Sequence, residues 1–408
     1  METRAMSKKR HINPSDIHGV SLMTIDAIVG LTDLVESLHH NIAFSPGILG
    51  TMTKGPVKGI TNLVYRSIRV ITRLVGGGID TALTQLIPFL GEESSSPERA
   101  AVLAALNGVL GDYLSTNKNS LAIPMQLRRE GQPLELENIN LKKDVPHPGS
   151  KLLVLVHGLC MNDRQWNRNG HDHGIALSRD LGFSPVYLHY NSGLHISQNG
   201  HQFADLMELL TKNWPAPIDE IAIIGHSMGG LVSRSAFHYG RLAGHGWLKY
   251  VKKLIFIGTP HHGAPLERGG NWLELIMDHS PYTAPFVRIG KIRSSGITDL
   301  RYGNLLDDDW EGRDRFERAG DNRQVVALPE GVMCYAIAST TGKKEDHPDE
   351  WHCGEGLVPI SSALGHHHDA RLTLPFPASR QWIGYGMNHL DLLSHPAVYK
   401  QISKFLAE

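Results

Sequence analysis

The sequence predicts an α/β fold, a mostly parallel sheet covered by helices on both faces, and three observations predict it. Short apolar runs recur along the C-terminal two thirds: LLVLVHG at 152–158, PVYLHY at 185–190, IAIIG at 221–225, KLIFIGTP at 253–260, MCYAIAS at 333–339 and QWIGYG at 381–386. Helical stretches separate them, and that alternation is how a chain builds parallel strands. The runs show no apolar–polar alternation, so both faces of each strand should be buried. With 408 residues, 41% of them hydrophobic, the chain can fill a large core.

In chain order, residues 1–118 read as an N-terminal helical region. Val20, Met23, Ala27, Leu31, Leu34, Val35 and Leu38 recur mostly at spacings of three and four, with Ser15 or Asp16 as the N-cap. A second stripe, Ile60, Leu63, Val64, Ile68, Ile71 and Leu74, stops at Gly76, Gly77 and Gly78, and 98–114 reads as a third helix after a serine-rich loop. These stripes pack against one another or against the next region; lying on a membrane surface is the sharper alternative.

The sheet domain spans 119–408. It opens with LAIPMQLRR and PLELENINL, a hairpin around Glu130, Gly131 and Gln132. An insertion at 263–329, with an apolar segment NWLELIMDH at 271–279, reads as a lid or cap, or else as a spacer. A helix over 396–406 closes the domain.

Forty basic residues against 41 acidic ones leave no field favouring nucleic acid. Peripheral membrane contact through apolar surface stays open, and nothing sets the oligomeric state. The first residues lack an apolar signal core and no run reaches roughly 18 apolar residues, so a cytoplasmic protein is expected. Of Cys160, Cys334 and Cys353, an odd count, reduced thiols are the plain reading, with a Cys334–Cys353 pair open. Gly365-His366-His367-His368-Asp369 reads as a solvated loop rather than a metal site, and no metal or cofactor is expected.

The chemistry concentrates at Gly225-His226-Ser227-Met228-Gly229. G-x-S-x-G alone is weak, but here a strand runs into it and a helix leaves it, as a nucleophile elbow requires. A hydroxyl needs a base and an acid to orient that base. His389, beyond the last strand, is the candidate base. Glu355, flanked by Gly354 and Gly356 beyond the preceding strand, is the candidate acid, with Asp346 and Asp349 as alternatives. The N–H groups of Met228 and Leu159 are the candidate oxyanion donors. His157, His261 and His262 are candidate pocket residues, and Trp272 a candidate acyl-facing lid residue; each could equally be a turn or packing residue. The 191–197 segment could contact substrate or simply turn the chain.

Five pieces in order, VHGLC (156–160), GHSMGGLV (225–232), IGTPHHGAPLER (257–268), GEGLVPISSALG (354–365) and GMNHLDLL (386–393), resemble the α/β-hydrolase superfamily. Within it they are similar to bacterial triacylglycerol lipases and GPI inositol-deacylase-like esterases. The resemblance implies a serine enzyme cleaving carboxylic esters, lipid or small-molecule, without a cofactor. Ser227 would be its nucleophile, His389 its base and Leu159 with Met228 its oxyanion hole. Acyl transfer or thioester cleavage at the same serine is the alternative. In those lipases an aspartate stands where Glu355 is, and an aspartate at the Asp391 position helps to hold calcium; no second carboxylate partner for such an ion is evident here.

Overall fold

The computed structural model describes residues 97–136, 138–145, 147–264, 294–313, 320–343 and 357–408. All of them fall in one unit, Ser95–Thr283 with Lys291–Glu408. The stripes before residue 97, the 271–279 segment with Trp272, and Asp346, Asp349, Cys353 and Glu355 lie outside the described residues.

Helix α1 (Pro97–Thr116) carries the third predicted helix, and it belongs with the sheet rather than with the region before it. Its Asn107 anchors the chain that follows, donating to Leu121 O at 2.8 Å and accepting from Ile123 N at 2.9 Å. Strands β1 (Gln126–Arg129) and β2 (Gln132–Pro133) form the expected hairpin. Glu130 and Gly131 at its turn have φ of 52° and 75°, the positive values a two-residue turn of this hand needs. The second strand is shorter than predicted. Pro133 has no N–H for a ladder, and Asn138–Asp144 coils into α2. There the Asp144 carboxylate accepts from Glu135 N at 2.9 Å.

Strand β3 (Lys151–Val156) precedes a 3-10 turn (Asp163–Trp166) and helix α3 (His173–Leu181). Next come β4 (Ser184–His189), α4 (Ile196–Asn213), β5 (Glu220–His226), α5 (Met228–Leu242) and β6 (Val251–Ile257). From the insertion come 294–313, with the short helix α6 (Ser295–Asp299), and 320–329. Strand β7 (Met333–Thr340), helix α7 (Ile360–Ala363), β8 (Gln381–Tyr385) and α8 (Pro396–Ala407) complete the described chain.

The described strands form one eight-stranded sheet in the order β2-β1-β4-β3-β5-β6-β7-β8. It is parallel across β4, β3, β5, β6, β7 and β8, and β1 pairs antiparallel with both β4 and β2. All six predicted strand runs are present. Alternate residues of the central strands face opposite ways. Leu153, Leu155, Ile224, Ile255 and Ile337 turn to one side, where Leu177 of α3 and Val398, Ile402 and Phe405 of α8 cover them. Phe256 points to the other side, toward α5 at Gly230. Covered twice, the strands are buried almost throughout, which is why their sequences are apolar without alternation.

The described part of the insertion is docked, not free. Ser294, Ser295, Ile297, Asp299 and Leu300 are buried. One Asp309 carboxylate oxygen accepts from Leu305 N and Leu306 N, and the other from Gln324 N. Among the described residues no helix is long and apolar enough to cross a membrane.

Candidate active site

Parallel strands present their carboxyl ends together, and in open α/β sheets that edge is where ligands sit. β5 ends there on His226, and Ser227 follows with φ 54° and ψ −126°. A residue with a Cβ avoids that region, so the corner is strained. It is held from both sides. Ser227 N donates to Ile257 O at 2.8 Å, continuing the β5–β6 ladder past the strand end, and Ser227 O accepts from Gly230 N at 3.1 Å. Tight packing explains the flanking glycines. A Cβ at Gly225 would lie 2.6 Å from the Gly230 backbone, and one at Gly229 would overlap the Val156 carbonyl.

Met228 is the first residue of α5, where an N–H has no acceptor within the helix. Facing it is the loop after β3. A Cβ on Gly158 would lie 3.0 Å from the Cβ of Ser227, so the loop approaches the serine as closely as glycine allows. Leu159 comes next in that loop, and among the described residues no acceptor takes its N–H.

His389 reaches the same edge from the far end of the chain. Its ring packs on Gly258, the residue after the one that bonds Ser227 N; a Cβ there would lie 2.9 Å from the imidazole Cε1. Gly258 is pinned in turn, donating to Ile337 O at 2.8 Å. The His389 ring also lies 4.7 Å from that of His226, whose Nε2 bonds the His389 carbonyl at 3.2 Å. Burial, with the His389 ring beside it, holds His226 well below its ordinary pKa, so it is neutral. Asp391 serves the backbone around His389. Its carboxylate accepts from Asn388 N at 2.9 Å, and the Asn388 side chain accepts from Leu390 N and Asp391 N. Among the described residues no group of three or more His, Cys, Asp or Glu could hold a metal.

Two of the expected pocket residues, His157 and His261, are fully buried. His157 has no exposed surface; it stacks on Tyr190 at 4.3 Å, and its Nδ1 bonds the Gly158 carbonyl at 2.8 Å. The Tyr190 hydroxyl donates to the His157 carbonyl at 2.8 Å, fixing the same loop from behind. Burial pushes His157 down to about 3, so it too is neutral. His261 is also fully enclosed, between Phe256 and Phe376. His262 is half-buried and ties segments together. Its N–H donates to Ser362 Oγ at 3.1 Å, and Arg323 donates to its Nδ1 at 2.8 Å.

The 191–197 segment is largely buried and hydrogen-bonded to its neighbours. Asn191, Ser192 and Ser197 are buried, and Ser192 Oγ accepts from Cys160 N at 3.1 Å. His195 pairs with Asp299 at 3.0 Å and stacks on Trp310 at 3.8 Å. Sequence reasoning missed Asp299, because a carboxylate inside a predicted lid carries no sign of being buried. It also missed His226, although the middle residue of G-H-S was in view. In the 366–368 run only His368 is exposed; His367 packs on His262 at 4.9 Å and faces Asp321 at 3.7 Å. Cys160 and Cys334 are free thiols, each pushed up to about 12 by burial.

Residues 148–318 match the family model of the PGAP1-like alpha/beta domain. No curated protein matches the chain in a sequence search. Among solved structures, mature Bacillus licheniformis lipase BlEst2 aligns at 16% identity and a TM-score of 0.42, over 69% of this chain and 98% of its own. Aspergillus fumigatus lipase B aligns at 12% and 0.43, over 94% and 85%. A Pyrococcus furiosus esterase aligns at 13% and 0.38, over 64% and 81%. Residues 148–318 are therefore similar to a PGAP1-like alpha/beta domain, and in this chain they carry the strained serine between β5 and α5 of a mostly parallel sheet.

Proposed function

We propose that the protein hydrolyses carboxylic esters, lipid esters among them, through an acyl-enzyme on Ser227, with His389 as base and Glu355 as the acid that orients it. The observation that carries this is the Ser227 corner, set at φ 54° on a parallel strand end with the Gly158 loop against it. Strain of this kind persists only where the surroundings enforce it, and it lifts the hydroxyl clear of the sheet.

In the proposed reaction Ser227 Oγ attacks the acyl carbon as His389 takes its proton. The negative charge then forming on the carbonyl oxygen is met by the N–H groups of Leu159 and Met228, which are rigid and need no reorganisation. His389 returns the proton to the leaving alcohol. Water, activated by the same imidazole, frees the acid. No step calls for a metal or cofactor.

The test uses short and long p-nitrophenyl esters and a fluorophosphonate probe. The wild type should turn over the esters and take the label, and Ser227→Ala should lose the label and at least about a thousandfold in rate. Equal turnover by the alanine variant would move the chemistry elsewhere.

A further inference from the structure

Helix α1 precedes the 148–318 match, yet it touches the part of the site that must be placed most accurately. Its Gly108 lies directly on Cys160, the neighbour of Leu159. A Cβ at Gly108 would overlap the thiol sulfur and lie 3.0 Å from the Cys160 Cα and N. Cys160 is buried and has φ 59°, so its backbone is committed to one unusual conformation. One turn on, a Cβ at Gly111 would overlap the Asn191 side-chain oxygen, and Asn191 Nδ2 donates to the Gly111 carbonyl at 2.9 Å. Residues three apart share a helix face. Glycine inside a helix is unfavourable, so two on one face mark backbone approach overriding helix propensity.

The same face also holds the start of the described insertion. Ser294 Oγ donates to the Gly108 carbonyl at 2.6 Å. Asp112 accepts from Ser295 N at 3.1 Å and from Ser295 Oγ at 2.9 Å. Gly296 N in turn donates to Gly193 O at 3.1 Å. Three segments distant in sequence thus meet on one face of α1, at Gly108, Gly111 and Asp112.

We propose that α1 is a positioning element of the active site: through Gly108 and Gly111 it seats the 159–160 oxyanion loop and joins it to the 191–193 turn and the 294–299 segment. This rests on the Ser227 reading. Gly108 and Gly111 touch no reacting atom. They act through Cys160 and Asn191, by setting where the Leu159 N–H points, and a displacement near 1 Å can cost ~100-fold in rate.

The experiment compares full-length wild type with Gly108→Ala, Gly108→Ala/Cys160→Gly and Ser227→Ala on one p-nitrophenyl ester, with kcat referred to folded protein. Gly108→Ala should lower kcat by about tenfold or more while KM stays within about twofold, because the lost interaction belongs to the transition state. Removing the Cys160 side chain relieves the overlap, and glycine suits its positive φ, so the double variant should regain most of kcat. Wild-type kcat per folded molecule in Gly108→Ala, or a loss that Cys160→Gly does not repair, would overturn the proposal. Should Gly108→Ala not fold, Ser294→Ala, which removes the bond to the Gly108 carbonyl without a clash, takes its place. A kcat fall of about threefold at steady KM then supports the proposal, and an unchanged kcat overturns it. Retained turnover by Ser227→Ala would bring down the underlying reading, and is told apart by its independence of α1.

Discussion

Ser227 keeps a backbone conformation that costs about 1–3 kcal/mol for a residue with a side chain, and its neighbours supply the restraint. Gly225, Gly229 and Gly158 each meet backbone or the serine itself where a Cβ would stand, so the site owes its shape to atoms that are missing. The acid is the member of the proposed triad that rests on sequence alone. Glu355→Gln should reduce kcat by about two to four orders of magnitude, as loss of the orienting carboxylate does in such triads, while Asp349→Asn should change it less than about threefold. The reverse order would reassign the acid. The positions of Ser227 and His389 at the sheet edge were legible because their motifs tie residue type to a place beyond a strand end. His157 and His261 were not, since a histidine after a strand reads alike whether its ring turns to solvent or inward. Only the neighbours decide, here Tyr190 for one and Phe256 with Phe376 for the other.

The strands were legible at the scale of elements because burial on both faces leaves a plain mark, an apolar run of six or so residues. β2 and α2 departed from expectation where the sheet reaches its edge: a strand with one neighbour has less to gain from extending, and Pro133 has no N–H to give the ladder. The allegiance of α1 was illegible for another reason. Its helical pattern was read correctly, but its partners, Cys160, Asn191, Ser294 and Ser295, lie about 50 to 185 residues further along. The described part of the insertion is tied to α4 by a buried carboxylate. Asp299 accepts from Ile196 N at 2.8 Å and pairs with His195, joining α6 to the first turn of α4. Asp299→Ala strands both partners and should cost about 2–4 kcal/mol in urea unfolding, with Asp299→Asn milder. A loss below about 0.5 kcal/mol would mean the pair contributes little.

The whole molecule is nearly neutral in formal charge, −1 with histidines uncharged, but its 24 histidines make it sensitive to acid. Burial pushes His157 and His262 down to about 3 and His173 to about 4, from an ordinary 6.5. Between those values and 6.5 the unfolded chain binds protons that the native one refuses. Stability is therefore full above about pH 6.5 and drains as the pH falls toward 4. The melting temperature should drop steadily from pH 7 to 5, and His157→Phe, which keeps a ring against Tyr190, should show a shallower slope. An identical slope would place the proton uptake on other groups.

The two ends of the proposed proton relay are 162 positions apart, and the later one, His389, sits beyond the last strand, against Gly258. Synthesis runs from the amino end, so the strand-to-helix corner at Ser227 is translated long before the His389 imidazole. During that interval the hydroxyl is an ordinary alcohol. On the proposed mechanism, ester cleavage would have to wait until the segment beyond β8 has brought the His389 ring against Gly258.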